Sequence, residues 1–150
     1  MTVSALLAPN RIFIDPNITS KKKLLEFIAN TVTDQFNLTQ SALFNSLLDR
    51  ERLGSTGLGN GFAIPHARLT DLDSTIGFFA KLATPINFEA LDSQPVDLIF
   101  CIIIPEQATD EHLQILSSLA KIFSQSTVRD AIRDAKSSDD IIRFIVSAEQ

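Results

Sequence analysis

The residue best suited to chemistry in this 150-residue sequence is His66, which follows Ile64-Pro65 at the end of a glycine-rich stretch. Near neutral pH an uncharged imidazole offers one ring nitrogen for attack, while a hydrogen bond at the other nitrogen sets the tautomer. Proline confines the residue before it to extended backbone, so Ile64-Pro65 makes a rigid lead-in that would hold the ring in one place. Four of the five glycines, Gly54, Gly57, Gly59 and Gly61, lie within eight positions, in LGSTGLGNG. Such clustering suits backbone at positive φ or in close approach to another group, and it leaves N–H groups free to point at an anion. A plain flexible loop has the same composition. The familiar phosphate motifs do not fit: there is no Gly-Lys-Ser/Thr ending, and the loop follows a helical pattern instead of a strand.

His112, the only other histidine, falls in the first turn of a helix that Thr109 is expected to cap. A helix N-terminus attracts anions, and a histidine there can donate to a phosphoryl oxygen; a surface histidine beside a cap would look the same. Arg50 and Arg52 close the preceding helical pattern, where a guanidinium fork can meet phosphate oxygens or simply complement a helix C-terminus. Two histidines are too few for a typical His-based zinc site, and the single cysteine, Cys101, excludes an internal disulfide or a Cys-based metal cage. Cys101 lies in the seven-residue apolar run 98–104, where a buried, inert thiol is expected. No cofactor and no metal are expected.

The elements that must position these residues alternate between helix and strand. Leu24, Ile28, Val32 and Phe36 recur every four residues after Thr19 and Ser20, a helix with a cap. Thr39 caps the next, which runs to about Leu53 with Leu43 and Leu47 on one face. Residues 75–82 read as a strand ended by Thr84-Pro85, and the run 96–104 reads as a central strand buried on both faces. Beyond Pro105, Leu113, Leu116, Ala120 and Phe123 line one helical face. A short helix at 128–135 follows, then a last one from about Ser138, with Ser137 and Asp140 forming the cap. Lys21-Lys22-Lys23 reads as a solvated helix face. The whole chain, residues 1–150, is expected to be one α/β domain with helices covering a sheet.

Composition narrows the function. A net charge of −5 gives no help against phosphate backbones, so nucleic acid is disfavoured as a partner. All 11 aromatic residues are Phe, which suits dry packing and removes the polar-tipped aromatics of carbohydrate and base-stacking surfaces. No signal-peptide pattern is visible, and no apolar run approaches the ~20 residues of a membrane span. A cytoplasmic protein without membrane insertion is expected.

Residues 49–66, DRERLGSTGLGNGFAIPH, resemble the phosphorylation-site signature of the type-2 IIA proteins of the bacterial phosphotransferase system (PTS), the mannitol/fructose group. Within that group the stretch is most similar to the nitrogen-regulatory branch, EIIA-Ntr. Residues 94–116, QPVDLIFCIIIPEQATDEHLQIL, resemble the same family's buried strand, loop and second-histidine helix at the expected spacing. The likeness extends over nearly the whole chain. It implies a mixed β-sheet sandwiched by α-helices, and a stoichiometric phosphohistidine carrier that accepts phosphate from an HPr-like (NPr) phosphocarrier. By position, His66 matches the phosphorylated histidine, reacting through Nε2; His112 matches the second active-site histidine; and Arg50 matches the arginine of the pocket. Arg52 sits where the family is freer. Gly54, Ser55, Thr56, Gly57, Gly59, Asn60 and Gly61 would shape the pocket wall. Phe62 stands where a smaller aliphatic is common, and Ala67 where glycine often follows the histidine.

Two roles follow from the resemblance. In the regulatory one, the phosphorylation state of His66 selects targets such as potassium-transport or sensor-kinase components. In the other, a sugar-transport IIA subunit passes its phosphate to a IIB domain. From outside the family, a hydrolase pairing His66 with Asp71 or Asp73 lacks a nucleophile elbow or metal cage, and a binding module would leave His66 inert. Leu58, Phe62, Ile64 and Leu69 are candidates for the dry centre of a transient interface.

Overall fold

The structure, a computed structural model, describes residues 2–108 and 110–150. Two short 3-10 turns (Ser4–Leu6 and Pro9–Arg11) lead into β1 (Ile12–Ile14), α1 (Lys21–Phe36) and α2 (Gln40–Leu53). Then come β2 (Gly57–Gly59), β3 (Phe62–Ala63), β4 (His66–Leu69), β5 (Ile76–Ile86) and β6 (Val96–Pro105). The chain closes with α3 (Glu111–Phe123), α4 (Ser126–Asp134) and α5 (Ser138–Ala148). Ser20 caps α1 by accepting from the Lys23 amide, and Ser137 caps α5 by accepting from that of Asp140. Thr39 stands at the N-cap of α2 without a side-chain hydrogen bond. Thr109 lies outside the described residues.

The sheet is mixed, in the order β1-β5-β6-β3-β2, with β4 also paired to β6. β1 runs parallel to β5, β5 antiparallel to β6, and β3 and β4 lie end to end in parallel pairing along one edge of β6. The period-2 alternation of β6 places its side chains on two faces. Ile99, Cys101 and Ile103 meet Leu24, Leu25, Ile28, Leu43 and Leu47 of α1 and α2. Leu98, Phe100, Ile102 and Ile104 meet Ile115, Leu119, Ile122, Ile132, Ile141 and Ile145 of α3, α4 and α5. Both sides are dry, which is why the run is apolar without interruption. Each fully buried aliphatic or phenylalanine side chain contributes roughly 1.5–3 kcal/mol. Burial pushes the Cys101 thiol far above its ordinary range and keeps it inert.

Two boundaries and one helix face differ from the expectations above. β5 continues through Thr84-Pro85 to Ile86, because its register against β6 shifts between Lys81 and Ile86; an unpaired, exposed bulge tolerates a proline that cannot donate. The short fourth helix begins at Ser126, two residues early. In α3 the core face is Ile115, Leu119, Ile122 and Phe123, whereas Leu113 is 59% exposed and Ala120 also faces solvent. Leu116 is half-buried against the same core, so of the three leucines of that helix only Leu113 is left to solvent. No helix among the described residues is long and apolar enough to cross a membrane.

Candidate functional site

β3 stops pairing with β6 at Ala63, and Ile64 turns its N–H to the Thr56 carbonyl, 3.0 Å away. Pro65 returns the chain to the sheet through its own carbonyl, which accepts from the Ile102 amide at 3.0 Å, and His66 opens β4 opposite Ile102. The break leaves the Ile64 carbonyl beside the His66 ring, 2.9 Å from Nδ1. A carbonyl only accepts, so Nδ1 carries the proton and Nε2 keeps its lone pair. The Arg50 Nε–H donates to that lone pair at 3.1 Å, and Arg50 Nη1 donates to the Gly54 carbonyl at 2.8 Å, clamping the guanidinium across the end of α2. Burial lowers the His66 pKa most strongly. The Ile64 hydrogen bond pulls it back up, the Arg50 charge lowers it again, and the balance stays below 6.5. The ring is therefore neutral at pH 7, with Nε2 open to an electrophile.

His66, Arg50 and His112 share one open cleft of about 440 Å³, which Ser46, Asp49 and Arg68 also line. Arg68 is the functional candidate that the residue types did not single out. Strand alternation puts it on the same side of β4 as His66, two residues on, which is the signal that could have found it. Its Nη1 donates to the carbonyls of Glu106 and Ala108 at 3.2 and 3.1 Å, and its Nη2 to His112 Nε2 at 2.9 Å. A guanidinium cannot accept, so His112 receives at Nε2 and holds its own proton on Nδ1 when neutral. Two guanidinium groups and two imidazoles thus face one space in a chain of net charge −5. Arg52 points away, exposed, with Nη1 3.5 Å from the Asp49 carboxylate.

The glycine stretch divides in two. Ser55 and Thr56 line a smaller cleft of about 220 Å³ against His66 and Arg50, and Gly54 enters the site through its carbonyl. Gly57 to Gly61 instead fold into the β2–β3 hairpin, which the lining of neither cleft includes, Leu58 excepted. Gly57 is small because a Cβ there would sit 2.8 Å from that of Ala90. Gly61, at φ +77°, presses against Arg133, which hydrogen-bonds the Asn60 carbonyl and pairs with Asp97 at 2.8 Å. Four of the amides expected to be free are occupied: those of Gly54, Thr56, Gly57 and Asn60 bond to Glu51 (carbonyl and carboxylate), Ser55 and Asp92.

Two unusual residues find direct uses. The Phe62 ring stacks on Phe123 with centroids 4.1 Å apart, and Ala67 packs into the core beneath α1 and α2. Phe62, Ile64 and Leu69 are buried, so of the four apolar candidates only Leu58, 45% exposed, stands at the rim. The rim is completed by Leu53, 86% exposed, by Leu113 and by the outer edge of Leu116, which otherwise packs on the core. Among the described residues no group of three or more His, Cys, Asp or Glu is arranged to hold a metal ion.

Comparison with known proteins agrees with this fold. The family model described as "Phosphoenolpyruvate-dependent sugar phosphotransferase system, EIIA 2" matches residues 5–148. A nitrogen regulatory protein of Pseudomonas aeruginosa is 40% identical over 145 residues, covering 96% of this chain and 94% of that protein. The crystal structure of the nitrogen regulatory protein IIA-Ntr from Neisseria meningitidis superposes with a TM-score of 0.91 at 37% identity, covering 95% of this chain and 98% of the other. The crystal structure of IIA mannitol from Escherichia coli shares the fold, with a TM-score of 0.79 at 21% identity over 93% and 98% of the two chains. The chain belongs to the EIIA type-2 family of the phosphotransferase system, in its nitrogen-regulatory branch.

Proposed function

We propose that His66 Nε2 accepts a phosphoryl group from an HPr-like (NPr) phosphocarrier, and that the phosphorylated and free forms of the protein bind different regulatory targets. The observation that carries this reading is the Nδ1–H bond to the Ile64 carbonyl, which leaves Nε2 nucleophilic in a cationic cleft. In the step, the Nε2 lone pair forms the N–P bond while the donor's bond to phosphorus breaks, its electron pair leaving with the donor. Arg50 Nε, freed from Nε2, turns to a phosphoryl oxygen, and Arg68 and His112 stand on the opposite wall to share the dianion's charge. Charge-assisted donors of this kind suit transfer in which positioning and charge stabilisation do most of the work. The exposed leucines of the rim supply a small dry contact for a partner that must dock and leave. Targets of the potassium-transport or sensor-kinase kind fit the nitrogen-regulatory branch.

Incubation with phosphoenolpyruvate, enzyme I and the phosphocarrier should place one acid-labile phosphoryl group on each chain. Adding IIB domains and sugar then separates the two roles: a regulator retains its label, whereas efficient passage to sugar would make the protein a transport IIA subunit. The His112→Ala variant should reach the same final incorporation about tenfold more slowly, a barrier change near 1.4 kcal/mol. Unchanged kinetics would leave His112 as a neighbour of the cap only.

A further inference from the structure

Glu51 follows Arg50 on α2, one helical position around the axis, and so turns inward where Arg50 turns to the cleft. Its side chain is almost wholly buried, 3% exposed. A carboxylate in such a place needs partners. It has three: the Thr56 amide donates to Oε1 at 3.1 Å, the Thr56 hydroxyl to Oε2, and Lys21 Nζ lies 3.0 Å from Oε1. Lys21 is thus drawn off the solvated face expected of it, and its ammonium also sits 4.6 Å above the Phe88 ring.

From Thr56 the chain of hydrogen bonds continues. The Thr56 carbonyl accepts from the Ile64 N–H at 3.0 Å, and the Ile64 carbonyl accepts from His66 Nδ1–H at 2.9 Å. Glu51, Thr56, Ile64 and His66 are thus joined in series by hydrogen bonds, each of which fixes where the next residue's backbone sits. We propose that Glu51 is a positioning residue for His66: by holding Thr56, and through it the backbone of Ile64, it keeps the Ile64 carbonyl against Nδ1 and the proton on Nδ1 before and after Nε2 is phosphorylated. The inference rests on the phosphoryl-carrier reading and specifies what holds that site ready.

The chemistry makes the proton matter. When the Nε2 lone pair becomes the N–P bond and Nδ1 keeps its hydrogen, the ring gains a positive charge. It can later leave as a neutral imidazole, with the N–P electron pair returning to Nε2. A ring that had lost the Nδ1 proton would have to leave as imidazolate, a far poorer leaving group. The Glu51 charge raises the His66 pKa, against the lowering by burial, Arg50 and His112. The other charged groups around the ring are Asp49 on α2, Arg68 on β4 and Lys21 on α1 behind Glu51, with Glu89 3.9 Å from Lys21.

The test is phosphoryl loss to water from the Glu51→Gln protein, followed across pH after loading from the phosphocarrier. Loading should still reach one group per chain. The midpoint of the pH profile should fall by about half a unit, so that above the wild-type midpoint loss slows roughly threefold. Glu51→Gln strands the Lys21 ammonium, so the Lys21→Gln/Glu51→Gln protein is measured beside it and should show the same downward direction. An unchanged midpoint in both variants would overturn the proposal. So would a return to the wild-type midpoint in the double variant, which would assign the shift to the stranded ammonium. Nitrogen-15 shifts of unphosphorylated His66 give a readout independent of any transfer. The Nδ1–H tautomer should lose population in both variants, and an undiminished population would equally sink the role of Glu51. Failure of wild type to load would instead overturn the phosphoryl-carrier reading.

Discussion

His66→Ala should take up no phosphoryl group from the loaded phosphocarrier while the protein remains folded. The reacting nitrogen is His66 Nε2: Nδ1 holds its proton against the Ile64 carbonyl, and Nε2 accepts only from the Arg50 Nε–H, a donor that can pass to an incoming phosphoryl oxygen. The guanidinium that donates to His112 Nε2 is, by contrast, also anchored on the Glu106 and Ala108 carbonyls. Removing the ring deletes the nucleophile, so the loss is complete and no slower route through His112 is expected. The structural cost is small. One hydrogen bond to a backbone carbonyl and one to Arg50 disappear from a half-buried position, worth about 1 kcal/mol each, against a core built elsewhere. Thermal unfolding within a few degrees of wild type, together with absent label, is the expected pair of results. Label persisting in the folded variant would move the acceptor to another residue and undo the proposed function.

Arg50→Met should slow phosphorylation by on the order of a hundredfold, the effect of removing one preorganised donor from a site where charge develops. Methionine preserves the bulk of the side-chain stem and removes only the donors to His66 Nε2 and to the Gly54 carbonyl. The incoming dianion then loses the cation closest to the reacting nitrogen, and Arg68 and His112 on the other wall remain. The His66 pKa should rise in this variant, because the Arg50 charge lowers it in the wild type. Titration of the ring and single-turnover transfer kinetics check both parts. A rate within twofold of wild type would reduce Arg50 to a clamp on the end of α2.

Much of the fold was legible because its signals are local. The uninterrupted Ile-rich run of β6 could be dry only if both faces were covered, and the caps at Ser20 and Ser137 each join residues three apart, within a single turn of chain. The α3 stripe misled because that helix has two apolar faces, one meeting the core and one meeting the cleft rim. Periodicity cannot assign leucines between them until the neighbouring elements are known. The glycine stretch misled for a related reason. Its composition announces unusual backbone, but whether the amides stay open or close into a hairpin depends on Asp92, Ala90 and Arg133, which arrive from far along the chain.

Residue types and spacing alone thus yield a histidine behind a rigid proline, an arginine one helix-end away, a second histidine at a helix start and one α/β unit around a dry central strand. These follow from short-range sterics and from hydrophobic periodicity, which act within a few residues. The direction of the Ile64 carbonyl, the joining of Arg68 to His112 and the burial of Glu51 between Lys21 and Thr56 arise only when α1, α2, β4 and α3 are packed together. Hydrogen-bond partners separated by 30 residues or more, such as Lys21 and Glu51 or Arg68 and His112, are selected by that packing, whereas the tautomer that makes one ring nitrogen reactive is set by the Ile64 carbonyl two residues away, once β3 and β4 have paired with β6.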